Sequence, residues 1–417
     1  MTVAKNKTID FATIAAERAA LESLAEPAWH PDTAAVHGGV NRSGFEETAE
    51  ALYLTSGYVY ARAEDAEAAF KGESDRYIYS RYGNPTVDMF QKRLAQIEGA
   101  EQCFATASGM SAVFTALISL LRAGDRLVAS RALFGSCFFV CNDILPRYGI
   151  ETVFVDGADL DQWKTALSQP TAAVFLETPT NPTLEIVDLK AVCDLAHDAG
   201  AQVVIDNVFA TPMLQRPIDY GADVIVYSAT KHIDGQGRCL GGAILGTRDY
   251  CTEKLMPFIR HTGPSLSPFN AWVLLKGLET LSLRVERQSR VALDIATWLE
   301  EDPRVSRVLY PHLESHPQFD LASRQMNLGG TVVTFRIEDD RAKSFAVMNR
   351  LKLIRISNNL GDSKSLITHP SSTTHYRLTE EERAHVGITE GMIRLSVGLE
   401  HSGDLIADLD QALAVTA

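Results

Sequence analysis

Ser228-Ala229-Thr230-Lys231 stands directly after the apolar run Val224-Ile225-Val226-Tyr227. A short apolar run reads as a buried strand, which leaves a primary amine at its carboxyl end beside two hydroxyls able to hold an anion. Two further apolar runs, 202–205 and 173–176, lead into Asp206 and Glu177. One carboxylate after one strand is ordinarily a turn or helix-cap residue. Three polar groups after three successive strands, on the edge where ligands of such sheets collect, are better read as a site. The chemistry is that of pyridoxal phosphate (PLP). Lys231, its amine made less basic by partial burial, forms the Schiff base, and Asp206 keeps the pyridine nitrogen protonated so that the ring can draw electrons. Ser228 and Thr230 offer hydroxyls to the phosphate.

Further donors come from Ser108-Gly109-Met110-Ser111, which reads as a strand-to-helix junction, where free backbone N–H groups and the helix dipole favour an anion. Gly235-Gln236-Gly237 and Gly241-Gly242 follow Lys231 closely but do not complete G-x-G-x-x-G, so no dinucleotide fingerprint is present. They read as a tight turn passing the cofactor. Tyr77 to Thr86, dense in tyrosine with one arginine at Arg81, reads by itself as a loop before a helix starting near Thr86. Arg394 lies in the alternating run 392–397, and two readings stand level: an arginine on a solvated face, or a bidentate clamp for a carboxylate. His312 and His316 have metal-like spacing, but Pro311 and Pro317 flank them and oppose the helix that would align them, so the segment reads as a loop.

The elements that must position these groups alternate. Strand-like runs at 102–105, 126–129, 152–155, 173–176, 202–205 and 223–227 are separated by helical runs at 110–121, 138–147 and 189–199, the last ending at Gly200. This predicts an α/β fold with a mostly parallel sheet covered on both faces. Beyond 263–268 the texture changes to a long helical stretch over 269–301 and strands near 305–309, 330–337 and 392–397. That is a smaller α+β domain.

Bulk properties narrow the class. A chain of 417 residues needs more than one core. Lys plus Arg number 39 against 53 Asp plus Glu, a net charge of −14 with the basic residues scattered, which favours neither nucleic acid nor an anionic membrane as partner. Residues 1–7 are polar and 9–24 mix Ala, Glu and Arg at helical spacing, unlike a signal peptide. Six cysteines form no C-x-x-C pair, consistent with a reducing cytoplasm.

On these motifs the chain resembles the Cys/Met-metabolism family of PLP enzymes, of fold type I. The match runs from about Thr33 to Leu405 and rests on Tyr79-Ser80-Arg81, Ser108-Gly109-Met110, Glu177-Thr178-Pro179-Thr180-Asn181-Pro182, Asp206-Asn207, Ser228 to Lys231, and Arg394-Leu395-Ser396-Val397-Gly398. The resemblance implies a large PLP-binding domain over 76–265 with a mostly parallel seven-stranded sheet. It also implies a small C-terminal domain over 266–417 and an N-terminal segment, 1–75, that contributes to a partner subunit. Lys231 would bind PLP and shuttle protons, with Asp206 at the ring nitrogen and Ser108, Gly109, Met110, Ser228 and Thr230 at the phosphate. Tyr79 and Arg81 would complete the neighbouring subunit's site, making a dimer the minimal unit and a homotetramer the expected assembly. Asn181, Asn359 and Arg394 would meet the substrate. Phe134 stands where lyases and many synthases of the family carry tyrosine; it can stack on the cofactor but has no hydroxyl to move a proton. With Asn358-Asn359-Leu360-Gly361-Asp362, it makes the chain look most like the family's O-succinylhomoserine-using sulfhydrylases. The expected reaction is a γ-replacement: O-succinyl-L-homoserine and sulfide give L-homocysteine and succinate. Cystathionine γ-synthase, with cysteine as acceptor, and a γ-lyase are the rivals. An acetyl donor stays open.

Overall fold

The computed structural model describes residues 29–416; the helical spacing read over 9–24 lies outside them. Seven strands build the larger sheet: β1 Gln102–Thr106, β2 Arg126–Ser130, β3 Glu151–Val155, β4 Ala173–Glu177, β5 Gln202–Asp206, β6 Val224–Tyr227 and β7 Gly242–Gly246. Their order is β1-β7-β6-β5-β4-β2-β3, with only β7 antiparallel to its neighbours. Strand β7 is absent from the sequence reading, because its glycines at both ends read as turn punctuation.

Along these strands alternate side chains separate onto two faces. Val203, Ile205 and Ile225 enter one core, while Val204, Val224 and Val226 enter the other. Helices cover both faces, so strands buried on both sides appear in sequence as unbroken apolar runs. The helix Leu189–Asp198 ends in a turn where Gly200 takes φ +74, a left-handed conformation that side chains disfavour.

The smaller sheet, in order β10-β11-β12-β9-β8, contains β8 Arg307–Leu309, β9 Val332–Arg336, β10 Arg355–Ile356, β11 Leu366–Thr368 and β12 Met392–Ser396. The stretch read as one helix over 269–301 is two, Pro268–Leu278 and Leu281–Glu301. Leu274, Leu278, Leu281 and Val285 pack into the large core, whereas Val291, Ile295 and Leu299 pack into the small one. The second helix is therefore shared. Its middle residue Gln288 donates to the carbonyls of Asp362 (2.8 Å) and Val397 (2.9 Å), fastening the small domain at the crossover.

A buried ionic knot ties the N-terminal side of the described chain to this frame. Glu50 receives Arg93, from the helix Pro85–Glu98, and Lys276 at 2.6 Å. Burial alone would raise the Glu50 pKa, but the two cations outweigh it and hold the carboxyl below its ordinary value.

Candidate active site

Strands β4, β5 and β6 are parallel and in register, Glu177 opposite Asp206, so their carboxyl ends deliver Glu177, Asp206 and the Ser228 loop to one place. There a cavity of about 230 Å³ is lined by residues that include Ser108, Gly109, Met110, Phe134, Asn181, Asp206, Ser228, Thr230, Lys231 and Arg394. Residues separated by almost 290 positions in sequence thus share one wall.

The phosphate side is formed at the start of the helix Gly109–Leu120. Ser108 caps it, its hydroxyl accepting from the Ser111 N–H at 3.2 Å. A Cβ on Gly109 would lie 2.5 Å from that of Ser228, so only glycine lets the helix start and the Ser228 loop approach each other. The result is a set of N–H and hydroxyl donors converging where an anion fits. Thr230 Oγ1 is held by the Gly241 backbone, accepting from its N–H at 3.1 Å.

Asp206 is a buried acid whose one oxygen accepts the Val208 N–H at 3.1 Å. Burial pushes its pKa up to about 7, and that hydrogen bond only partly opposes the shift. A protonated ring nitrogen placed against it would supply the missing positive charge. Lys231 is pulled down to about 8 by burial, with the Arg394 charge adding to the effect, and its Nζ donates to Asn359 Oδ1 at 2.7 Å.

Arg394 comes from β12, the middle strand of the small sheet, and is 1 % exposed, which decides between its two sequence readings. Nη1 donates to Asn181 Oδ1 at 2.9 Å and Nη2 to the Asn358 carbonyl at 2.9 Å, while Nε is buried with no partner. A buried guanidinium edge left unsatisfied in a cavity is a receptor for a carboxylate. Burial lowers its pKa to about 10, so it stays charged at neutral pH.

The groups present fit PLP: a cradle for phosphate, an acid for the ring nitrogen, an amine of lowered basicity, an aromatic face at Phe134 and a carboxylate receptor. The match to known proteins agrees. The profile of the Cys/Met metabolism PLP-dependent enzyme family covers residues 32–414. The chain belongs to this family. An O-succinylhomoserine sulfhydrylase of Mycobacterium tuberculosis is 62% identical over 386 residues, 92% of this chain and 95% of that protein. One from Pseudomonas aeruginosa is 46% identical over 383 residues, 92% and 95% of the two chains. An L-methionine gamma-lyase of Porphyromonas gingivalis is 41% identical over 383 residues, 91% and 96%. Among solved structures, an O-acetylhomoserine (thiol)-lyase of Campylobacter jejuni carrying N'-pyridoxyl-lysine-5'-monophosphate superposes with TM-score 0.89 at 35% identity, covering 93% of this chain and 100% of that one. A cystathionine gamma synthase of Xanthomonas oryzae in complex with aminoacrylate and cysteine gives 0.89 at 33%, covering 94% and 99%. The fold is that of a fold type I PLP enzyme.

Tyr79 and Arg81 do not line this cavity. Tyr79 is exposed; the Arg81 guanidinium lies 4.8 Å from the Tyr82 ring centroid and donates to the Arg260 carbonyl. Two members of the site gave no role in the sequence reading. Glu177 was noted only as a strand-end acid. His375, next to the cavity-lining Thr374, is buried near Arg394; burial and then the Arg394 charge hold its pKa down to about 4, while the Asn181 backbone opposes the shift. A histidine inside a Ser/Thr-rich run, 371–375, has no local pattern that would single it out.

Proposed function

We propose that the protein is a PLP-dependent transferase that replaces the succinyloxy group of O-succinyl-L-homoserine by sulfide, giving L-homocysteine and succinate for methionine synthesis. The observation that carries this reading is 62% identity to an O-succinylhomoserine sulfhydrylase over 92% of the chain. PLP, when bound, supplies an electron sink for the charge left on the substrate's Cα. Arg394 Nε and its neighbours take the α-carboxylate, with Asn181 fixing the guanidinium and Asn359 close by. Lys231, once its nitrogen is free, removes the α-proton and then assists loss of a β-proton. The Cγ–O bond then breaks, succinate leaves, sulfide forms the new Cγ–S bond, and protons return to Cβ and Cα, with Lys231 as the donor within reach. Phe134 has no hydroxyl with which to protonate a leaving group, which supports a donor that releases a carboxylate, as succinate is, over the thiolate that a γ-lyase must expel.

In this reading two chains form the working unit. Tyr79 and Arg81, turned away from their own Lys231, reach the partner's cofactor phosphate, and two such dimers make a homotetramer. No helix among the described residues is long and apolar enough to cross a membrane, and six free thiols suit the cytoplasm. Purified enzyme supplied with O-succinylhomoserine and either sulfide or cysteine tests the acceptor; faster turnover with cysteine would make it a cystathionine γ-synthase. Succinyl and acetyl donors in competition at fixed sulfide test the donor.

A further inference from the structure

Glu177 ends β4 and is 4 % exposed, a carboxyl fully committed to the interior. Its Oε2 accepts the backbone N–H of Phe134 at 2.8 Å, forty-three residues earlier in sequence, and the backbone of Asn181 bonds the same carboxyl. Phe134 follows β2 and lines the cofactor cavity; Asn181 follows β4 and accepts from Arg394 Nη1 at 2.9 Å. We propose that Glu177 is a positioning residue that ties the loop after β2 to the loop after β4. The ring face over the cofactor and the amide that aims the carboxylate receptor are thereby set relative to each other.

The chemistry calls for an acid here. Two N–H donors converge on one buried point and need an acceptor with more than one oxygen. Glutamine would offer one oxygen and turn an NH₂ toward the second N–H, leaving one loop loose. Glu177 lines the cavity between Phe134, Asn181 and Asp206, and its hydrogen bonds go to backbone, so it is assigned to act through Phe134 and Asn181. His375, buried nearby, also interacts with the backbone of Asn181. The proposal deepens the functional reading, because the substrate carboxylate is that of the reading above.

The test compares holoenzyme of wild type, Glu177→Gln and Leu167→Ala. Leu167 is buried in the outer layer of the large core and serves as a control for general destabilisation. Burial, and then the Asp206 charge, raise the Glu177 pKa well above the usual carboxylate range, so in Glu177→Gln we expect donor KM to rise roughly threefold to tenfold, the scale of one lost neutral hydrogen bond, with kcat falling less. The visible circular dichroism of bound PLP should weaken at full occupancy. Leu167→Ala should lower Tm while leaving both readouts at wild type. Glu177→Asp keeps the carboxyl one methylene short and is read in the same way if the glutamine variant yields no folded protein. Wild-type KM and dichroism in a fully loaded Glu177 variant, or equal changes in the control, would overturn the proposal. The dichroism needs no turnover, so a wrong donor assignment would leave that arm intact.

Discussion

Lys231 Nζ and Asn359 Oδ1 lie 2.7 Å apart, a hydrogen bond that joins the large domain's reactive amine to a loop of the small domain. Asn359 also presents its carbonyl to the Arg394 guanidinium at 3.5 Å. One residue thus touches both Lys231 and Arg394. Asn359→Ala should keep PLP binding and lower kcat/KM about tenfold, from the loss of one charge-assisted hydrogen bond. Steady-state kinetics with the succinyl donor checks this, and an unchanged kcat/KM would remove Asn359 from the substrate site.

Arg394→Lys replaces a planar fork by a single point charge. The contacts to Asn181 and Asn358 cannot both survive, and the free Nε edge disappears. Donor KM should rise roughly tenfold to a hundredfold, corresponding to a loss on the order of 1.5–3 kcal/mol. The cofactor spectrum should be retained, since the proposed role of Arg394 is toward the substrate.

Lys231, held down to about 8 by burial and then by Arg394, is mostly protonated at neutral pH in the apoenzyme. Only the neutral amine attacks an aldehyde. The rate of PLP capture should climb as pH rises toward 8 and level off above it, and Lys231→Ala should abolish the visible band. Stopped-flow absorbance after mixing apoenzyme with PLP reads both. A flat profile from about pH 6 to about pH 9, across the pKa of about 8, would contradict the assigned ionisation.

Asp206 predicts a pH effect on stability with a definite sign. Its folded pKa of about 7 lies above the ordinary 3.8, because burial penalises the carboxylate. Between these values the folded apoenzyme holds a proton that the unfolded chain has released, so raising pH through this window removes stability. Burial and the Asp206 charge also raise the pKa of Glu177, opposite it in register, so Asp206→Asn should lessen rather than abolish the slope of the apoenzyme's Tm-versus-pH curve, and PLP should lessen it in wild type by setting a pyridinium against the carboxylate. Calorimetry of apo and holo forms of both proteins measures the difference. Asp206→Asn should also weaken PLP binding.

Much of this was legible in sequence for a plain reason. Strands such as 202–206 are buried on both faces, so their apolar runs are unbroken and the polar residue that ends each run marks the ligand edge. Lys231, Asp206, Ser108 and Ser228 were accessible in that way. Strand β7 was hidden by its glycines, which are there because Ser108 and Thr106 press against the backbone of Gly242. The break at Glu279 and Thr280 was hidden because the apolar spacing continues across it. Arg394 could not be decided from its strand, since whether a side chain faces solvent or a second domain is a tertiary fact. Glu177 and His375 act through backbone groups distant in sequence, and such contacts leave no spacing to read.

The helix Leu281–Glu301 has one end embedded in each lobe. Such a continuous rod has no pivot: swinging the lobes apart would mean tearing its residues out of one interior or the other. Room for substrate to enter and succinate to escape must therefore come from the loops around the cavity mouth rather than from a swing of whole lobes.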